Sequence, residues 1–405
     1  MRSKRRGAGM KMFNTMFGAA GAVLLVATVA VADPMPATLA TPLLNAEHLL
    51  SAHKYAAALA AVAQADAVPN KTPDEQLTIA QLRAAIDTAS GNRAAAANDY
   101  AAILASGALP AAQTQTMAES LASSQYQAGE YAKTVQTIKT YLADDARFHT
   151  ILLQSYYQMG DCKSISADMA PAIKAAAHGG HGPAETELQM LAYCDTNAKN
   201  MPGYVADMEL LVQFYPNPTY WSGLIGQLQS DPAYSDRLAL DFFRLKLAAG
   251  VAAPEADYME YTQEALQAGL PNTAEQIFAM GQKNGLLGSG ADLDRQTRLK
   301  ALVDKRRDAA KAGAAEQAAQ ALAGKDFQAL FNIGFNEVAG GDASGIALME
   351  QSIRSGALTH IDQAELEMGM GYAMAGEASK ANAMWRAVGG NDGAQRLATL
   401  WRYIR

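Results

Sequence analysis

The sequence predicts an all-α protein, a superhelical solenoid of antiparallel helix pairs. Composition is the first sign. Half of the 405 residues are hydrophobic but only 7% are aromatic, and Ala dominates. Alanine favours helix because it has no side-chain entropy to lose there. A wide sheet core would draw on more Val, Ile, Phe and Tyr. The second sign is pattern. Stripes of apolar residues spaced by three and four come in pairs, each pair broken by a short Gly-containing turn. The third is recurrence of those pairs along the chain.

The first 32 residues form a separate segment. Arg2, Lys4, Arg5, Arg6 and Lys11 precede an apolar run from Phe17 to Ala32, which ends in Ala30-Val31-Ala32. This is the pattern of a signal peptide cut after Ala32. The run is short for a membrane span, which needs about 20 residues. Export to the periplasm or beyond is therefore expected, without stable membrane insertion after cleavage. Removing five basic residues leaves 33 − 5 = 28 Lys and Arg against 40 Asp and Glu, a net charge of −12. An acidic protein of this kind repels nucleic-acid phosphates, so nucleic acid is excluded as a partner.

The helix pairs follow in order. EHLLSAHKYAAALAAV (47–62) has Tyr55 and Ala58, with His53 at the turn. AAIDTASGNRAAAANDYAAIL (84–104) has Ala84, Gly91, Ala96 and Tyr100. LASSQYQAGEYAKTVQTIKTYL (121–142) has Ala122, Tyr126, Gly129, Tyr131, Thr134 and Ile138. LLQSYYQMGDCKSISADM (152–169) has Tyr156, Tyr157 and Gly160. Residues 186–250 follow the pattern less well. Their Leu238, Phe242, Leu245 and Ala249 share a helical stripe, and Pro216 and Pro218 lie in the connection before it. ALQAGLPNTAEQIFAMG (265–281) has Gly269, Ala274 and Phe278. ADLDRQTRLKALVDKRRDAAKAG (291–313) reads as one long helix with seven Lys or Arg against four Asp, a basic stripe on an acidic chain. FQALFNIGFNEVAGGDASGIALMEQSI (327–353) has Gly334, Gly341 and Ile346. LEMGMGYAMAGEASKANAMWRAV (366–388) has Gly369, Tyr372, Gly376, Ala381 and Trp385. Gly369 and Ala381 carry the smallest side chains on its facing stripes, where two backbones approach.

This series of small residue, aromatic, turn glycine, alanine and second aromatic resembles the tetratricopeptide repeat, whose period is about 34 residues. Gly341 and Gly376 are 35 apart. The last pair departs from the pattern at Glu365, where the family often has Trp. As a whole the chain resembles exported, Ala-rich tetratricopeptide proteins of Gram-negative bacteria. The expected organisation is a signal peptide at 1–32, helical repeats over 33–282, a basic helical insertion at 283–326 and further repeats over 327–405. In the repeat reading Cys162 opens the second helix of one pair and Cys194 ends the first helix of the next. That makes them neighbours and, in an oxidising compartment, a disulfide.

The resemblance also implies a concave groove lined by first helices, holding a partner protein or peptide segment. Its residues would be Phe331, Phe335, Met370 and Met374 at the C-terminal end, with Tyr126, Gln127, Tyr157 and Gln158 in the middle. Catalytic motifs are missing: no phosphate loop, no H-E-x-x-H and no G-x-S-x-G. HGGHG (178–182) reads as a solvent loop, and no metal or cofactor is expected. The expected function is a non-enzymatic periplasmic interaction scaffold in envelope assembly, secretion or polysaccharide export. The alternative is a helical enzyme or small-molecule-binding protein without a recognisable motif.

Overall fold

A computed structural model describes residues 35–179 and 181–404. The expected signal peptide lies outside the described residues. Twenty α-helices and one short 3-10 turn make up the described part, with no strand among the described residues. No helix among them is long and apolar enough to cross a membrane. The chain divides into two compact units, one running through Ala170 and the other beginning at Pro171.

The first unit comprises α1 (Ala37–Ser51), α2 (Tyr55–Asp66), α3 (Pro73–Ser90), α4 (Arg93–Ala105), α5 (Ala111–Gln127), α6 (Tyr131–Tyr141), α7 (Ala146–Met159) and the start of α8 (Cys162–Ala177). Consecutive helices form hairpins. Thr137 Oγ1 donates to Gln125 Oε1 at 2.8 Å, and Thr88 and Tyr100 hydroxyls lie 3.0 Å apart. Each bond joins two helices that follow one another across a short turn, as in an antiparallel hairpin. The turns at Gly91 (φ 84°), Gly129 (77°) and Gly160 (69°) all take the left-handed backbone that glycine reaches without strain. His53 stands where the pattern wants glycine, and it too is left-handed at φ 57°. Thr72 starts α3 with a reciprocal cap: Thr72 Oγ1 accepts from Glu75 N, and Glu75 Oε2 accepts from Thr72 N. Leu39, Leu43, Val62, Ile79, Leu82 and Ile86 form the core of the leading hairpins. Ala118, Ala122, Ile138, Leu142 and Phe148 form a second core further along.

The second unit holds α9 (Glu185–Ala198), α10 (Met201–Phe214), α11 (Pro218–Gln229), α12 (Ala239–Ala248), α13 (Glu255–Gln267), α14 (Pro271–Lys283) and α15 (Leu293–Ala323). It continues with α16 (Phe327–Ala339), α17 (Gly345–Arg354), α18 (Ile361–Met374), α19 (Ala378–Ala387) and α20 (Ala394–Trp401). The close crossings predicted from small residues are present. A Cβ on Gly369 would overlap the Trp385 indole, whose Nε1 donates to Leu366 O at 3.1 Å. A Cβ on Gly334 would meet the backbone of Gly345.

The basic helix runs to Ala323, ten residues past the expected end at 313, because AAEQAAQALA holds no helix breaker. It is not set apart as an insertion. Leu299 and Val303 enter one core with Phe243, Tyr258, Ile277, Phe278 and Leu287. Phe243 stacks on Tyr261 at 4.2 Å there. Lys300 and Arg307 reach Glu275 of α14, at 3.3 and 3.6 Å.

A stack of repeats confines contacts to neighbours. The second unit does not. Asn272 of α14 donates from its backbone N and its Nδ2 to Asn336 Oδ1 and O of α16, 64 residues away. Arg237 pairs with Asp362 at 2.7 Å and also with Asp392. Arg396 of α20 pairs with Glu209 of α10, 187 residues earlier. The last helices thus return to the first ones of this unit.

Candidate functional site

In the expected groove at the C-terminal end, Phe331, Phe335 and Met370 are core residues, 0%, 2% and 3% exposed. They present no surface to a partner. Met374 alone of that set is open, at 43% exposure. The reason is local: the inner face of α16 and α18 is covered by another part of the same unit. The Arg244 guanidinium of α12 lies over the Phe335 ring at 4.7 Å. Arg244 of α12 thus touches both hairpins, at Phe335 and at Glu367.

Ionic contacts hold α12 in place. Arg244 Nη1 donates to Asp241 Oδ1 at 2.7 Å and to Glu367 Oε1 at 2.9 Å. Gln363 Nε2 donates to the other Asp241 oxygen at 2.9 Å, and Arg237 donates to Gln363 Oε1 at 2.9 Å. Asp241 is fully buried. Burial raises its pKa despite the neighbouring Arg244. Burial and then the Asp241 charge push Glu367 up to about 8. Burial and the proximity of two carboxylates to one guanidinium thus favour a proton on this pair. A second raised carboxyl, Asp207 of α10, is pushed up to about 8 by burial and then by the charge of Asp195. Both clusters could hold a proton, and neither contributes to the clefts around Trp385 and around Pro36. Their evident role is to fasten helices.

Sequence reasoning missed the α12 cluster. The available signal was a charge inside an apolar run: Asp241 and Arg244 in ALDFFRLKL, and Glu367 in LEMGMGYAM. A charge so placed needs a partner, because burying it alone is costly.

The groove candidates of the first unit sit nearer the turn: Tyr126 and Tyr157 are three residues before Gly129 and Gly160, while Phe335 and Met370 are six before Gly341 and Gly376. Tyr126 ends α5 and Tyr157 ends α7, both half-buried, and each is followed by an exposed glutamine, Gln127 or Gln158. Tyr126 packs edge-on against Tyr131 with ring centres 5.6 Å apart. Burial raises the Tyr126 pKa, so its hydroxyl stays protonated as a donor. In α3 the corresponding Thr88 is also half-buried. The Thr88 hydroxyl is taken up by Tyr100, so the exposed polar groups at these helix ends are the amides of Gln127 and Gln158.

Cys162 and Cys194 are joined in a disulfide, as expected, and no free cysteine remains. Such a bond is at home in an oxidising compartment. No protein-family model matches the chain, and no curated protein matches it.

Proposed function

We propose that this protein is a non-catalytic, exported interaction scaffold of tetratricopeptide type, working in the periplasm through its first unit. Its ligand would be an extended segment of a partner protein, laid across the C-terminal ends of α5 and α7. One observation carries the reading. Tyr126-Gln127 and Tyr157-Gln158 recur at the same place on successive first helices and remain accessible. In the second unit the expected groove residues Phe331, Phe335 and Met370 are buried, and Phe335 lies under Arg244 of α12. A tyrosine offers a flat apolar face and a hydroxyl, and a glutamine satisfies backbone groups of an extended segment. The reading therefore rests on Tyr126 and Tyr157, the accessible members of the expected groove, and not on the buried Phe331, Phe335 and Met370.

The test is capture of partners from an envelope extract by the disulfide-intact protein. Tyr126→Ala with Tyr157→Ala should abolish the stoichiometric partner while helix content is unchanged. Met374→Glu should leave capture intact. Loss of capture with Met374→Glu, and not with the tyrosine pair, would place the binding face in the second unit instead.

A further inference from the structure

The second unit contains a cleft that the scaffold reading does not use. Gln395, Thr399 and Arg402 lie along one stripe of α20 and its C-terminal continuation, spaced by four and three. The end of α19 supplies Trp385 and Arg386, and Val388 follows it. Together with Arg396 and Glu209 these residues enclose a cleft of about 300 Å³. That is at the small end of ligand-site volumes.

Its charge is opposite to that of the protein. Three arginines face one glutamate in a chain with a net charge of −7. Arg396 is engaged by Glu209 and is therefore not free for a ligand. Arg386 is exposed and has no ion pair among the described residues. Arg402 buries its Nε with no acceptor, and Trp401, stacked on Trp385 at 5.9 Å, likewise buries an indole Nε1 without one. Buried donors normally have partners. The Thr399 hydroxyl is already used, donating to Gln395 O at 3.1 Å, so the Gln395 side-chain amide remains as the neutral donor. Trp385 and Val388, both buried, supply apolar wall.

We propose that this cleft binds a small organic carboxylate with a compact apolar body. Arg386 and Arg402 take the carboxylate, the Gln395 amide hydrogen-bonds it, and the body lies against Trp385 and Val388. Guanidinium groups match planar carboxylates in charge and geometry. Phosphate shares the oxyanion chemistry, but Glu209 sits in the cleft and penalises a second negative charge. The glutamate thus selects a monoanion. Nothing in this assignment depends on Tyr126 or Tyr157.

Benzoate and inorganic phosphate are the probes, titrated into the intact protein. Binding is read by calorimetry and by tryptophan emission, since Trp385 and Trp401 adjoin the site. Benzoate should bind saturably and at least about tenfold more tightly than phosphate. Arg386→Gln, at an exposed position that leaves the fold unchanged, should weaken benzoate roughly tenfold, the scale of one lost charge-assisted bond. Glu209→Gln should narrow the gap between the two anions. No saturable benzoate binding, or binding unchanged by Arg386→Gln, overturns the site. Phosphate binding more tightly than benzoate overturns the carboxylate assignment.

Discussion

The two units are built from the same hairpins yet hold together differently. In the first, the side-chain cross-links described connect residues at most 28 apart in sequence, the longest being Arg147 to Glu119. In the second, Arg237, Arg244 and Arg396 reach partners 123 to 187 residues away. Local contacts let helix pairs open one at a time, whereas distant ones couple the pairs into a single cooperative body. The difference also decides which face stays open. The first unit leaves Tyr126 and Tyr157 accessible, and the second covers Phe335 with α12.

The sharpest way to break this contrast is at the α12 cluster. Arg244→Met leaves Asp241 and Glu367 buried without their cation, and removing one partner of a buried ionic group costs about 3–5 kcal/mol. All three tryptophans, Trp221, Trp385 and Trp401, lie in the second unit, so fluorescence reports on it alone. In denaturant, the fluorescence transition should move to much lower concentration, while circular dichroism retains the helices of the first unit. Coincident, unshifted transitions by both probes would show that the cluster is not what closes this unit.

A smaller loss is expected at a single crossing. Gly369→Leu drives a side chain into the Trp385 indole and the bond it makes to Leu366. Overpacking of this kind costs about 1–3 kcal/mol. The fluorescence midpoint should fall, with Trp385 emission shifting toward that of an exposed indole. A variant as stable as the parent would mean that α18 and α19 do not meet at this glycine.

Much of the fold was legible in the sequence because helices and hairpin turns are local. Gly91, Gly129, Gly160, Gly341 and Gly376 all mark left-handed turns, and Gly369 marks a helix crossing. The disulfide was legible because Cys162 opens α8 and Cys194 lies in the last turns of α9, the next helix in the chain. What could not be read was the closure of the second unit. Arg244 meets Glu367 across 123 residues, and no periodicity records such a pairing. The burial of Phe331, Phe335 and Met370 was hidden for a related reason. An apolar residue such as Phe335 on a first helix suits a groove or a core equally well, and the covering helix decides. Charges inside apolar runs, Asp241 and Arg244 in one and Glu367 in another, were the visible hint of that cover.

The pH response should separate the units again. Asp207 and Glu367, both in the second unit, have pKa values raised to about 8, above the usual carboxylate range near 4. The folded state therefore holds more protons than the unfolded chain between these limits. Its stability is greatest below the unfolded values, falls as pH rises from about 4 to about 8, and levels above that. The slope is at most about 1.4 kcal/mol per pH unit for each group. Fluorescence-detected unfolding should show this decline, and Glu367→Gln should flatten it. A second unit that grows more stable over the same range would contradict the buried, protonated state of these carboxyls.

The mildest change makes the finest test, because it compares two residues one helical turn apart. Met370 and Met374 both lie on α18, but Met370 is 3% exposed beneath the cover of the unit and Met374 is 43% exposed. An open groove would tolerate a charge at either position, since water would reach both. A covered face tolerates it only at the second. Met374→Glu should change stability by no more than about 0.5 kcal/mol, the usual range for a surface substitution. Met370→Glu should collapse the fluorescence transition, because the carboxylate has no partner within the core. Equal tolerance at both positions would mean that α12 leaves this face in solution and that the C-terminal hairpins, like those of the first unit, stand open.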